Sequence, residues 1–429
     1  VDERYLKEQL LFLTFKKMTF ILIINIIMMN DKQLEALAIV KNGNNLFLTG
    51  SAGTGKSFTV KAIINHLSEN NIPFGVTALT GCAAVLINGQ TIHSFLSLGI
   101  SRNFEEIYKN ICKFKPTLLK LKNLKSLIID EISMMDEELF GLINRLLMTI
   151  KGNDLFFGGI QVILVGDFYQ LPPISGDFCF NSHIWEGLKL KSVILTDLIR
   201  QKDDNKLQLI LEEIRNGKIA DETFEILEGL KATTFESKEI KPTRLYPVNV
   251  NVDKINNNEF ARLIKKNKGE TVEYKAFATN KSDKTDAYHI TLTKGAQVMV
   301  IRNISIENRL FNGTRGVVME LMEKSVVIKD VYDNTHTIEY YSDVNQNDKK
   351  RKISFIPLKL AYAISIHKSQ GASIDFLEID LGDDIFISGQ LYTALSRATN
   401  INNIKINNIS KSSFIQNEKV KKFYELLKK

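Results

Sequence analysis

One stretch limits what this chain can fold into more than any other: Leu46-Phe-Leu-Thr-Gly-Ser-Ala-Gly-Thr-Gly-Lys-Ser57. The apolar run Leu46 to Leu48 reads as a buried parallel strand, and the pattern from Phe58 to Leu67 reads as a helix. Gly50-x-x-x-x-Gly55-Lys56-Ser57 lies between them. Strand, glycine-rich loop and helix in that order make a phosphate-binding loop. Its chemistry is in the backbone: Gly50, Gly53 and Gly55 let successive N–H groups turn inward around an anion. The positive end of the helix dipole points at the same place. Lys56 is placed to neutralise the β- and γ-phosphates, and the Ser57 hydroxyl to hold Mg²⁺. The nucleotide-binding set is therefore Gly50, Ser51, Ala52, Gly53, Thr54, Gly55, Lys56 and Ser57.

Further apolar runs extend this unit into a sheet. Phe74 to Thr80, Ser126 to Glu131, Ile160 to Asp167 and Val193 to Leu195 read as strands. They lack polar alternation, so both faces are buried, as in a parallel sheet covered by helices. This predicts a doubly wound α/β domain over 31–200. Asn30 to Val40 reads as a preceding helix entered through Asn30 or Asp31, with Leu34, Leu37 and Ala38 on one face. Residues 101–122, with five lysines among aromatic and charged residues, read as a small insertion outside the core. Helices dominate from 202 to about 230, and Thr243 to Asn249 looks like a strand of a second α/β domain. Gln297 to Ile301, Gly316 to Leu321, Ser325 to Ile328 and His336 to Tyr341 alternate in polarity, which predicts a small antiparallel β module at 290–356 inserted in that domain. The α/β pattern resumes at Leu358.

Composition narrows partners and compartment. The 429 residues allow two or three domains, and 44% hydrophobic with 24% charged is usual for a globular protein. The net charge of +7 leans weakly toward a polyanionic partner. Cys82, Cys112 and Cys179 are far apart and form no Cys-x-x-Cys pair, which argues against a zinc site or a disulfide framework. A reducing intracellular compartment fits, with nucleus, mitochondrion, cytoplasm and viral replication site all open. Thr19 to Met29 is nearly all apolar, but eleven residues fall short of the roughly 20 that span a bilayer as a helix. Residues 1–30 are expected to be an appendage, with translation starting at Met18, Met28 or Met29.

Three further groups carry chemistry. Asp130-Glu131 ends an apolar strand downstream of the phosphate loop, which suits Asp130 to holding Mg²⁺ and Glu131 to polarising the attacking water. In Gly166-Asp-Phe-Tyr-Gln-Leu-Pro-Pro173, Gln170 sits at a strand tip, where an amide that donates and accepts can report on a γ-phosphate. Gln33, ahead of the phosphate loop, has the amide to read an adenine edge, although its spacing fits a solvated helix residue equally well.

Set in order, these stretches resemble a family. The phosphate loop, Thr77-Ala-Leu-Thr-Gly-Cys-Ala-Ala84, Thr91-Ile-His-Ser-Phe95, Ile129-Asp-Glu-Ile-Ser133, Gly166 to Pro173, Ile199-Arg-Gln201, Pro357-Leu-Lys-Leu-Ala361, His367-Lys-Ser-Gln-Gly371 and Tyr392-Thr-Ala-Leu-Ser-Arg-Ala398 look like the motif series of the Pif1 (petite integration frequency) helicases of superfamily 1B, relatives of RecD. The resemblance covers about 31–410. It implies two RecA-like domains, at 31–200 and at 201–289 with 357–429, with 101–122 as a strand-separating wedge and 290–356 as an SH3-like insert. It implies ATP and Mg²⁺ as cofactors. Gln33 resembles the adenine-binding glutamine and Gln170 the residue linking γ-phosphate to DNA. Arg200 and Arg397 resemble two arginines that reach the γ-phosphate, a task that suits a planar, permanently charged fork. The catalytic set is then Lys56, Glu131, Gln170, Arg200 and Arg397. Thr80, Thr91, His93, Ser94, Phe95, His367, Lys368 and Ser369 fall in segments resembling single-strand contacts, with hydroxyls and histidines for phosphates and an aromatic for a base. Helix capping explains any one of the hydroxyls as well.

The expected activity is ATP-dependent, 5′-to-3′ unwinding by a monomer that binds single-stranded and forked DNA. An ATPase that remodels protein–DNA complexes without net unwinding is a rival. A binding protein with a decayed ATPase is a weaker one, since Lys56, Asp130, Glu131, Gln170 and Arg397 are all present.

Overall fold

The computed structural model describes residues 29–428, apart from 100–101, 202–203, 236–239, 248, 281–284, 303, 306–309, 311–312, 345–351, 375, 382–384 and 386. The expected appendage and its alternative start sites therefore lie outside the described residues, except for Met29 and Asn30. Met29 is buried, and Asn30 caps the first described helix. The chain divides into two compact units. One holds the residues up to Leu79, Ile87–Asp167 and Pro173–Ile199; the other holds Thr80–Leu86, Phe168–Pro172 and the residues from Arg200 onward.

The first unit is built on a six-stranded, all-parallel sheet: β1 (Leu46–Gly50), β2 (Phe74–Ala78), β3 (Gln90–Thr91), β4 (Ser126–Asp130), β5 (Gln161–Val165) and β6 (Lys191–Leu195), in the order β3-β2-β4-β5-β1-β6. Every residue of β1 and β4 is buried, which is why the sequence shows continuous apolar runs there. The phosphate-loop strand β1 and the carboxylate strand β4 are not neighbours. β5 lies between them, pairing Ile163 with Leu46 on one side and with Ile128 on the other.

Helices α1 (Asp31–Lys41) and α2 (Lys56–Glu69) flank the phosphate loop in sequence, and α3 (Gly81–Leu86) and α4 (Ile92–Leu96) follow β2 and β3. The buried face of α1 is Gln33, Ala36, Leu37 and Val40, with helical spacing of three and four. Leu34 and Ala38, expected to share a face with Leu37, are exposed while Leu37 is buried. Residues 101–122, expected outside the core, carry α5 (Phe104–Lys113) and α6 (Lys115–Asn123), which form the crossover from β3 back to β4. Ile107, Ile111 and Leu121 are buried, and Lys151 near the end of α7 (Glu137–Lys151) donates to the Lys122 and Leu124 carbonyls, both at 2.6 Å. Lysines on the outer face hid one apolar stripe per helix, so these residues belong to the packed unit. The short α8 (His183–Gly187) leads into β6.

The second unit begins with α9 (Asn205–Asn216) and α10 (Asp221–Gly229). Its four-stranded parallel sheet contains β7 (Thr243–Tyr246), and α11 (Asn249–Lys266) follows. A β module intervenes: β8 (Val272–Tyr274), β9 (Phe277–Ala278), β10 (Ile290–Leu292), β11 (Gln297–Val300), β12 (Arg315–Leu321), β13 (Ser325–Asp330), β14 (Thr335–Glu339), β15 (Tyr341–Val344), β16 (Lys352–Phe355) and β17 (Leu358–Leu360). The parallel sheet is completed by β18 (Ala363–Ser365), β19 (Leu377–Leu381) and β20 (Ile404–Ile409) in the order β18-β7-β19-β20, with α12 (Ile366–Ser369), α13 (Gln390–Leu395) and α14 (Glu418–Leu427) interspersed. The module's main sheet is antiparallel, β14-β13-β12-β11-β17, around Val298, Val300, Val318, Val326, Ile328 and Ile338. Its pairing reaches outside 290–356 on both sides: β8 pairs with β10, and β17 pairs with β11. The parallel sheet therefore resumes at β18. Asn256 of α11 holds the junction, with its carboxamide accepting from the Tyr362 and Ala363 N–H groups and donating to the Ala363 carbonyl.

Candidate active site

The phosphate loop runs from the end of β1 to the start of α2. A Cβ on Gly50 would collide with the Leu195 carbonyl of neighbouring β6, so only glycine fits. Gly55 has φ +88° and serves as the N-cap of α2 with no side-chain hydrogen bond closing the helix end. The helix thus begins with its N–H groups turned toward the loop. Lys56 folds back over the loop, donating to the Gly50 and Ser51 carbonyls at 2.7 and 3.0 Å. Ala52 and Thr54 are buried, Ser51, Gly53 and Gly55 half-buried, and Ser57 is exposed beside Lys56 on the first turn of α2.

Gln33 is 1% exposed and thus not a solvated helix residue. Its Oε1 accepts from the Asn30 N–H in a capping box, while Nε2 has no hydrogen-bond partner among the described residues. That Nε2 lies 2.7 Å from where a Gly55 Cβ would stand, and Ile199 Cδ1 lies 2.9 Å from the same point. The Ile199 N–H donates to the Gly53 carbonyl, and Asn30 donates to Asp197. A buried, unspent amide donor beside a phosphate loop is costly unless a ligand uses it. This fits a nucleobase.

Asp130 ends β4 and Glu131 follows it, both buried. Glu131 adopts φ +55°, and its N–H donates to Asp130 Oδ1 at 2.8 Å. Burial and then the Glu131 charge push the Asp130 carboxyl up to about 7, against the lowering effects of that N–H and the Lys56 ammonium. A cation there would favour the ionised form, which suits Mg²⁺ held with the Ser57 hydroxyl and phosphate oxygens. Among the described residues no group of three or more His, Cys, Asp or Glu could hold a metal alone.

In the second unit, the structure ties several expected residues together. Gln170 is buried, and its Oε1 lies 3.4 Å from Gln370 Nε2. Arg397 is 2% exposed; its guanidinium donates to the Thr393 carbonyl and Ser396 Oγ at 2.9 Å, and to the Ser369 and Ala372 carbonyls at 3.4 Å. Arg200 donates to the Ser396 carbonyl, and Gln201 to those of Ser396 and Ala398. Gln201 and Gln370 were not singled out from the sequence. Each is an uncharged polar residue beside a more conspicuous one, and only its burial reveals it.

The segments expected to contact DNA divide. His93, Ser94 and Lys368 are exposed, and His367 is half-buried. Desolvation lowers the His367 pKa; at His93 desolvation and then the Arg102 charge do so, with Asp136 opposing. Thr80 caps α3 by accepting from the Ala83 N–H, and Thr91 caps α4 by accepting from Ser94. Two expectations need correction. Phe95 does not offer its ring to a base: it is buried where Gly75 leaves room for it, and the Lys120 ammonium covers the ring at 4.0 Å. Ser369 is fully buried, and its hydroxyl is spent on the Ile366 carbonyl at 2.8 Å.

Comparisons with known proteins point to one family. Residues 24–225 match the model of the PIF1-like helicases, and 288–321 match that of the 2B domain of DNA helicase Pif1. The crystal structure of the Pif1 helicase from Candida albicans superposes with a TM-score of 0.79 at 31% identity, covering 93% of this chain and 99% of that one. The chain belongs to the Pif1 family of DNA helicases. The ATP-dependent DNA helicase Pif1 of a Psychrobacter strain is 34% identical over 87% of this chain and 67% of its own length. A Bacteroides Pif1 helicase in complex with ADP-AlF3 and single-stranded DNA superposes at 0.69 with 26% identity, over 93% and 97% of the two chains. This family member spans 67% and 65% of the length of the Psychrobacter and Xenopus laevis relatives. Among its described residues no helix is long and apolar enough to cross a membrane.

Proposed function

We propose that this chain hydrolyses ATP to move 5′-to-3′ along single-stranded DNA and to unwind duplex ahead of it. The observation that carries the reading is the first unit's site: a buried, unspent Gln33 amide beside Gly55, and a buried Asp130–Glu131 pair close enough to Lys56 to feel its charge. The family, and the relative bound to ADP-AlF3 and single-stranded DNA, support the substrate class. Gln33 reads the adenine edge. The loop N–H groups and Lys56 bind the phosphates, and Glu131 orients the attacking water and takes its proton. Mg²⁺, held by Ser57 and Asp130, supplies charge neutralisation to the phosphoryl oxygens. Arg200 and Arg397 add positive charge for the transferred group, and Gln170 reports on its presence. His93, Ser94, His367 and Lys368 contact the strand's phosphates. Phe114, between α5 and α6, and Leu119, within α6, stand 68% and 58% exposed among lysines and act at the fork.

The test is ATP turnover with and without single-stranded DNA, followed by unwinding of duplexes bearing a 5′ or a 3′ tail. DNA-stimulated turnover with 5′-tail unwinding is expected. Stimulation without unwinding of either substrate favours the remodelling translocase, and preference for the 3′ tail reverses the assigned direction.

A further inference from the structure

Gln170 follows β5 of the first sheet, yet Phe168–Pro172 packs with the second unit. Something must hold this short hook there, because a glutamine that reports on a phosphate is useful only at a fixed position. The described contacts identify the holder as α14, the last described helix. The Phe168 N–H donates to the Tyr424 hydroxyl oxygen at 3.1 Å. The Tyr169 ring stacks on the Tyr424 ring with centroids 4.8 Å apart and planes at 15°, and Phe168 meets Phe423 edge-on at 5.3 Å. Arg215 of α9 lays its guanidinium 4.4 Å from the Tyr169 ring and 5.2 Å from that of Tyr424. On the other side, Gly389 has φ +82°, and a Cβ there would collide with the Gln170 carbonyl, so the hook's backbone lies directly on the start of α13.

We propose that Tyr424, with Arg215 completing the stack, is a positioning residue for Gln170: α14 clamps the two residues ahead of the glutamine and thereby sets how nucleotide state and DNA stimulation are coupled. The inference rests on the reading of Gln170 given above. Tyr424 touches neither nucleotide nor DNA in this scheme. It acts through Phe168 and Tyr169, one hydrogen bond and one stacked pair, each of which favours the docked hook over alternatives.

The experiment compares Tyr424→Phe, Tyr424→Ala, Gln170→Ala and the double variant Tyr424→Ala/Gln170→Ala in the full chain, measuring KM for ATP, kcat with saturating single-stranded DNA, and thermal melting. Tyr424→Phe keeps the stack and loses the acceptor, so kcat should fall ~5-fold. Tyr424→Ala loses both and should fall ~30-fold. KM for ATP should stay within about twofold, because the phosphate loop is untouched. In the Gln170→Ala background the Tyr424→Ala change should cost nothing further, since a clamp has no effect once its cargo is gone. Multiplying losses in the double variant would overturn the clamp, as would a lower melting temperature with wild-type kcat. Should Tyr424→Ala fail to fold, Tyr424→Phe decides: unchanged kcat refutes the proposal. Gln170→Ala at wild-type turnover would refute the reading of Gln170 itself, which the Tyr424 variants alone do not do.

Discussion

Replacing Arg397 separates the packing job that its contacts show from the γ-phosphate job proposed for it. The guanidinium is buried and makes two 2.9 Å bonds, to the Thr393 carbonyl and Ser396 Oγ, with two longer ones to the Ser369 and Ala372 carbonyls. Charged hydrogen bonds are worth about 1.5–3 kcal/mol each, so the short pair alone should cost about 4 kcal/mol when lost. In a unit of this size that lowers the melting temperature by roughly 10 °C. A structural role ends there: well below the new melting temperature, each folded molecule would hydrolyse ATP normally. A γ-phosphate role adds a rate loss of roughly 10³-fold or more that cooling does not restore. Arg397→Lys keeps the charge but loses the fork, and should recover part of the stability and little of the rate. The assay is DNA-stimulated turnover per folded molecule at a temperature at least 15 degrees below each variant's measured melt, a margin chosen as about one and a half times the expected shift. Arg397→Ala should be destabilised and nearly inactive while still binding MgATP through Lys56 and the loop. Turnover near wild type under those conditions removes Arg397 from the catalytic set, and an unchanged melt refutes the packing argument.

Other perturbations follow from the same structure. Gly55→Ala forces a side chain into φ +88° and displaces the Gln33 amide and Ile199, so ATP affinity should drop about tenfold or more by nucleotide titration; wild-type affinity would remove Gln33 from the base site. Phe114→Ala changes an exposed residue, so melting should stay within about half a kcal/mol in stability, while unwinding per ATP falls about tenfold if the ring stacks at the fork; equal unwinding would refute that role. The lowered pKa of His367 means that the unfolded chain binds its proton at a higher pH than the folded one. Stability should therefore fall as pH drops from the ordinary imidazole range through the lowered value, and His367→Asn should flatten that slope in melts between about pH 7 and 5. An unchanged slope in the variant would contradict the desolvated imidazole.

The first unit was legible because its chemistry is local. Gly50, Gly55 and Lys56 lie within seven residues, and strands buried on both faces announce themselves as apolar runs. What escaped the sequence was tertiary. The lysines of α5 and α6 draw attention from Ile107, Ile111 and Leu121, which face inward at helical spacing. Leu358 to Leu360 looks like another strand of the parallel sheet, but a three-residue run carries no information about partners, and it pairs with β11. Phe95 sits in a polar stretch that suggests exposure, while the space that buries its ring is made by Gly75, twenty residues earlier. Gln33 stood undecided between ligand and solvent until burial and an unspent Nε2 favoured a ligand.

A motor of this kind needs the state of a phosphate to alter its hold on a strand, and the second unit contains a short chain of contacts suited to that. Gln170 meets Gln370; Gln370 adjoins Ser369, whose carbonyl accepts from Arg397; Arg397 bonds Ser396, whose own carbonyl accepts from Arg200 and Gln201. His367 and Lys368 lie on the same one-turn helix, α12, that Ser369 ends. Three of the links are 3.4 Å long, and weak bonds of that length are easily exchanged for stronger ones when charge arrives. An arginine drawn toward a phosphoryl group would withdraw its bond from the Ser369 carbonyl, at the end of the helix that carries His367 and Lys368, and leave that oxygen to the Ala372 N–H at 3.0 Å. If Arg397 is the catalytic arginine proposed above, one of the contacts it gives up is at the end of the helix that carries the proposed DNA contacts His367 and Lys368.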